Sequence, residues 1–168
     1  MDNIMNRRTV LTGSAGFALA LATSRVAAAQ TMDQMSQSSF DTVMAFMGAM
    51  GSGDMETMSN LMADDMVWQN EGDPNLPWIG TWESKEGIFG FLGEFSKNVE
   101  VKLWENLDAF ASGDTVAVFG RMKLLTTKSG KETDEFTFAL RAKVKDNQVI
   151  LWNWFENSFA VSNAFHNK

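Results

Sequence analysis

Three stretches of this sequence carry side chains whose type and spacing could do chemistry. "WQNEGDPNLPWIGTW" holds Trp68, Asn70, Glu71, Asp73, Trp78 and Trp82; "GRMK" holds Arg121 and Lys123; "NWFEN" holds Asn153, Phe155, Glu156 and Asn157. Glu71 and Asp73 are the candidate general bases, because a carboxylate within reach of a carbon acid can take its proton. Their neighbours Gly72 and Pro74 also allow a plainer reading, in which both acids only shape a turn. Arg121 and Lys123 stand two apart, share one face of an extended run, and could hold a carboxylate or an enolate oxygen. The alternative is that they pair with acids such as Glu105 or Glu135 on neighbouring strands. On the last extended run Val149, Leu151, Asn153, Phe155 and Asn157 share one face, and Gln148, Ile150, Trp152, Trp154 and Glu156 the other. Glu156 and Asn157 therefore cannot both point into one site.

Absent residue types narrow the chemistry. There is no cysteine, hence no thiol nucleophile, disulfide or thiolate metal site. The one histidine, His166, is the third residue from the end, so neither a Ser-His-Asp triad nor a zinc-hydrolase site has the imidazoles it needs. No metal site and no cofactor is expected. One rival comes from the nine methionines between residues 32 and 66, since thioethers are soft ligands for Cu(I). Their helical spacing makes core filling the default reading.

The elements that must position these residues follow from periodicity. Residues 30–38, "QTMDQMSQS", read as a polar tether. Ser39 can cap a helix with Phe40, Val43, Met44, Met47 and Met50 on one face. "GSGD" breaks it, and Asp54 can cap a second helix carrying Met55, Met58, Leu61 and Met62. "MVWQN" is a short strand, "EGDPNLP" a loop, and Ser84 caps a third helix with Ile88, Phe89, Phe91, Leu92 and Phe95. From Val99 the period becomes two. Four extended runs, turned at 112–114, 129–130 and 146–147, make an antiparallel meander. The order predicts an α+β domain over residues 39–168, three N-terminal helices packed on a curved, mainly antiparallel sheet.

Residues 1–29 read as a leader rather than part of that domain. Arg7-Arg8 precede an apolar run, and Ala27-Ala28-Ala29 supply an A-x-A cleavage signal. "NRRTVL", the glycines and serine diluting the apolar run, and Arg25 resemble a twin-arginine signal, which implies export to the periplasm or beyond. Three of the 14 Lys+Arg and one of the 21 Asp+Glu lie in the leader, so the remainder carries 11 against 20, a formal charge of −9. That excess of acid disfavours nucleic acid and anionic membrane as partners.

Four segments in order resemble the SnoaL-like branch of the nuclear transport factor 2 superfamily. They are "GSGDMETMSNLMADDMVW", "LPWIGTWESKEGIFGFL", "FASGDTVAVFGRMKLLTTKSGK" and "VILWNWFENSFAVSNAF". The resemblance implies a cone-shaped pocket for a small apolar or carbonyl-bearing ligand and pairing through the outer sheet face into a homodimer. Catalysis of an isomerisation, cyclisation or dehydration is compatible with it, as is a non-catalytic binding or protein-interaction role. It aligns "FENS" so that Asn157 occupies the position of the family's acid and Glu156 points away. It also implies that Trp68, Asn70, Trp78, Trp82, Arg121, Lys123, Asn153, Phe155 and Asn157 line or approach the pocket. The epoxide-hydrolase pattern is broken, because Trp68 stands for a tyrosine and Lys123 and Asn157 for two aspartates. The ketosteroid-isomerase pattern lacks its tyrosine, for the chain has none.

Overall fold

The computed structural model describes the backbone of residues 15–166 and the side chains of residues 34–166. Arg7-Arg8 lie outside the described residues. Helix α1 (Ala15–Ser52) is followed by α2 (Met55–Leu61), β1 (Met62–Glu71), β2 (Gly80–Glu83), α3 (Ser84–Asn98), β3 (Val99–Ser112), β4 (Thr115–Thr126), β5 (Phe136–Lys145), β6 (Gln148–Glu156) and α4 (Ser158–His166). One six-stranded sheet has the order β2-β1-β6-β5-β4-β3. Only β1 and β6 run parallel; the other neighbours are antiparallel, as the expected meander requires.

The local signals act as chemistry dictates. Gly53 takes φ 73° to end α1, and Asp54 accepts a hydrogen bond from the Thr57 N–H at 3.0 Å to start α2. Ser84 is the first residue of α3 rather than its cap, which is Glu83; at φ 63° its hydroxyl accepts from the Gly87 N–H at 3.3 Å. Asp146 and Asn147, both at positive φ, close the β5–β6 hairpin.

Three features depart from the sequence reading. Ser39 does not cap a helix: it is buried inside α1, whose helical backbone runs through the segment read as a tether. Polar side chains there bond to the sheet rather than to water. The Ser36 hydroxyl accepts from the Gly113 N–H at 2.9 Å, and the Ser38 hydroxyl donates to Asn147 at 2.8 Å. The loop before α3 contains the short strand β2, paired with β1 from Val67↔Glu83 to Asn70↔Gly80. A fourth helix, α4, which the periodicity did not indicate, follows β6.

Inward side chains form one core between the helices and the concave face of the sheet. It takes Val43, Phe46 and Met47 from α1, Met58 from α2, Ile88 and Phe91 from α3, and Val118, Met122, Phe138, Leu140, Trp152 and Trp154 from the strands. Met47, Met58, Met62 and Met66 are all buried in it. Gly120 is required by close packing. A Cβ there would lie 2.3 Å from the Glu105 carbonyl oxygen and 2.3 Å from the Phe138 ring. That vacancy lets Phe138 stack on Trp154, with centroids 4.5 Å apart and planes at 20°.

Asp73 fastens α4 to the loop between β1 and β2. Its carboxylate accepts from the Ser162 hydroxyl at 2.5 Å, the Asn75 N–H at 2.9 Å and the Asn75 amide at 2.7 Å, with His166 3.9 Å away. The Ser162 bond first, then those from Asn75, hold its pKa down from 3.8 to about 2.

Two predictions follow from these contacts. Gly120→Ala should cost about 1–3 kcal/mol of overpacking, seen as a lower urea midpoint with unchanged slope. Because the folded pKa of Asp73 lies below its unfolded value of 3.8, its contribution is fully present above that value and lost as pH falls toward 2. Ser162→Ala should therefore lower stability at neutral pH and flatten the stability profile between pH 4 and 2. An unchanged acid limb in thermal melts would show that the Ser162–Asp73 tie carries no stability.

Candidate functional site

The interior of the cone is walled by indoles. Trp68 stacks on Trp152 with centroids 5.1 Å apart, Trp152 meets Phe46 at 5.0 Å, and Trp68 meets Phe91 at 5.1 Å. Trp104, Phe138 and Trp154 form a second cluster with centroids 4.5–5.3 Å apart. Between the clusters remains a cavity of about 50 Å³, which Trp68, Asn70, Trp78, Trp152, Trp154 and Glu156 help to line. Room of that size takes a water molecule or one functional group, against about 300–1,000 Å³ for a whole ligand pocket.

The roomy space lies at the mouth. A groove of about 1080 Å³ runs between the α1–α2 corner, α3 and the start of β3. Met47, Met50, Met55, Phe89, Leu92 and Val101 supply much of its apolar wall. Met50, Leu92, Phe95 and Trp104 border both compartments, so they form the constriction between groove and interior.

Asn70 organises the interior. Its side-chain oxygen accepts from the Trp68 indole N–H at 2.8 Å, and its amide donates to the Trp78 carbonyl at 2.9 Å. The second bond holds the loop residue Trp78 over the sheet, where its ring meets Phe95 and Phe165 edge-on. Trp82 stacks on Phe91 at 5.5 Å and braces the wall from behind.

Glu156 is the ionisable side chain that the sequence reading turned away from the site. It enters the cavity beside Trp152 and Trp154. The Trp154 indole N–H donates to its Oε2 at 3.0 Å, while Oε1 is shielded from solvent and has no partner. Burial raises its pKa above the usual glutamate value, and the Trp154 bond only partly opposes that. The misassignment has a simple cause. Strand alternation yields two sets of side chains but not which set faces in, and a slip of one residue exchanges them. Each set holds three apolar residues and two polar ones, so composition does not choose between them; the pairing of Trp152 with Trp68 and Ala142 does.

From Asn153 on, the other set looks outward, whereas Val149 is fully buried in the core. Phe155 is 41% exposed on the convex face, Asn157 is exposed just after β6, and Asn153 lies on that same face between Gln69 and Arg141. Arg121 and Lys123 also face out, because Met122 and Leu124 between and beside them fill the core. The Arg121 guanidinium donates to Glu105 at 2.6 Å and to Glu135 at 2.8 Å, and Lys123 pairs with Glu132. These cations are occupied by neighbouring acids, the alternative left open above, and are not placed to hold a ligand in the cone. Glu71, at the end of β1, is exposed on the outer side. Asp73 is committed to Ser162 and Asn75 and is held ionised, which makes it a weak base.

Similarity to known proteins agrees with this architecture. The SnoaL-like domain model matches residues 43–152. An NTF2-like protein from Burkholderia xenovorans LB400 shares 23% identity over 77% of this chain and 97% of its own, with a TM-score of 0.71. TerC, co-crystallised with polyporic acid, shares 19% identity over 77% of this chain and 98% of its own, at 0.68. An LEH-like epoxide hydrolase from M. tuberculosis shares 16% identity over 79% of this chain and 92% of its own, at 0.60. At such identities the likeness concerns the fold. No curated protein matches the sequence. The domain match spans well over half of the sequence, and the chain belongs to the SnoaL-like family of NTF2-like folds.

Proposed function

We propose that this protein binds a small, flat, apolar molecule at the mouth of its cone and moves a proton on it with Glu156. The observation that carries the reading is a buried carboxyl group with one free oxygen and a raised pKa, in a small cavity that shares four lining residues with an apolar groove. Such a carboxylate can take a proton from carbon next to a carbonyl and return it to the same or a conjugated carbon. The proton removed to form the enolate is the one returned, so the isomerisation balances with no further reactant. TerC, whose fold is similar, was co-crystallised with polyporic acid, which supports a small-molecule ligand.

A second reading keeps the binding and drops the chemistry. It is favoured by the interior volume of about 50 Å³, since a ligand bound only in the groove would not reach Glu156.

Export and pairing belong to the same proposal. Arg7-Arg8 and Ala27-Ala28-Ala29 support passage by the twin-arginine route to the periplasm. Leu107, Phe110, Phe119 and Phe155 are exposed on the outer sheet face, around a shallow hollow of about 460 Å³ floored by Gly120. An apolar face of this kind supports a homodimer.

In D₂O, the wild-type protein should accelerate exchange of the methyl protons of 2-acetylnaphthalene, with a rate that rises with pH as Glu156 ionises. Glu156→Gln should slow it by about 10²–10⁴-fold; exchange at the wild-type rate in that variant would remove Glu156 as the base. The raised pKa means that folding stability is lost as pH rises past the ordinary value of 4.5. Glu156→Gln should therefore melt above wild type at pH 7, the gap closing below pH 4. Sedimentation of the wild-type protein should give a dimer mass that Phe119→Lys with Phe155→Asp reduces to a monomer. A monomeric wild type would end the pairing proposal.

A further inference from the structure

Among the residues that line the small interior cavity, Trp78 alone belongs to a loop; the others lie on strands or on α1 and α3. Its ring is backed by Phe95 of α3 on one side and by Phe165 of α4 on another, with edge-on centroid distances of 5.8 and 5.3 Å. The cavity wall at Trp78 is therefore only as firm as the seat of α4.

That seat is made of a few point contacts to loops and turns. The Ser162 hydroxyl donates to Asp73 at 2.5 Å, so α4 grips the β1–β2 loop near both ends, at Asp73 through Ser162 and at Trp78 through Phe165. Ser162 and Phe165 stand three apart and share one face of the helix. Past the end of β4, the Ser129 hydroxyl donates to the Ala164 carbonyl at 2.6 Å, and Lys128 lies 4.4 Å from the centre of the Phe165 ring. At the start of α4 the fit is close: a Cβ on Gly72 would lie 2.8 Å from the Ser158 Cβ. A helix of nine residues has little stability of its own in water, so these contacts decide whether it stays docked. Asn157, exposed and outside both β6 and α4, is the joint, and it follows Glu156 directly.

We propose that α4 and the Trp78 loop form a hinged cap whose opening at Asn157 makes room beside Glu156 for a small apolar ligand. This rests on the binding reading above and assigns the way into the interior. Closed, the cavity of about 50 Å³ holds no more than one functional group. When the cap swings out, the space of an indole is vacated while Glu156 stays at the end of its strand. A ligand that enters only the open form has its affinity reduced by the fraction of molecules that are open. Loosening the clasp therefore tightens binding, the opposite of what the loss of a purely structural bond would do.

Native-state hydrogen exchange of the wild-type protein tests the motion. The amides of Val161–Phe165 and the Trp78 indole N–H should share one protection factor, at least about tenfold below that of the β4 and β5 amides. Calorimetric titration with naphthalene tests the role. Ser162→Ala should bind it about tenfold more tightly than wild type, because the open fraction rises by the worth of the lost bond. Gly72→Ala, which pushes against Ser158 from the other side, should shift affinity in the same direction and serves if Ser162→Ala fails to fold. Exchange of α4 and Trp78 only together with the strands would overturn the cap. So would naphthalene binding that both substitutions leave unchanged or weaken, and that result would keep the groove as the binding site. No naphthalene binding by any of the three proteins, with the separate α4–Trp78 opening present, would sink the binding reading and with it the cap's role in admitting a ligand.

Discussion

The contact on which the architecture turns is Trp68 stacked on Trp152 across the parallel pairing of β1 and β6. That pairing is the only parallel one in the sheet, and it joins the helical first half of the chain to the meander that follows. An offset aromatic pair contributes about 0.5–1.5 kcal/mol beyond the area it buries. Its geometric role is larger. With Trp68 facing Trp152 and Asn70 facing Trp154, the register also sets which β6 side chains enter the cone. Asn70 then carries the order outward, from the indole of Trp68 to the backbone of Trp78.

An aromatic interior serves stability and limits function at once. Indoles and phenyl rings fill the cone so well that the space beside Glu156 is small, and the volume a ligand needs is displaced to the groove outside. The glutamate is a costly element of this core. Its free oxygen and raised pKa are a destabilising feature in a place where an apolar residue would pack, and such exceptions cluster at functional sites. By contrast Asp73, with three hydrogen bonds, shows how a carboxylate looks when it has been recruited to hold a structure together.

The convex face divides its labour differently. Cations on β4 are matched by acids on β3 and on the segment leading into β5, giving exposed pairs worth little individually. Beside them Phe119, Phe155, Leu107 and Phe110 leave apolar surface uncovered. A protein with a strong acidic excess can carry such a patch in solution, since net charge opposes unspecific association.

Periodicity and turn chemistry made most of the secondary structure legible in the sequence. Asp54, Gly53, Ser84 and the Asp146-Asn147 pair act locally, so their roles need no knowledge of the rest. The α+β order and the four long strands were readable for the same reason. What failed were the readings that depend on a distant partner. The serines at 36 and 38 look like linker residues until two sheet turns supply their hydrogen-bonding partners. β2 is too short to be recognised without β1 beside it, and α4 without Asp73 to hold Ser162. Above all, the sequence by itself determined that Glu156 and Asn157 lie on opposite faces of one strand. Only the tertiary structure decided that Glu156 is the one inside, because inside is defined by pairing Trp152 and Trp154 with β1 and β5, and no property of an isolated strand contains that choice.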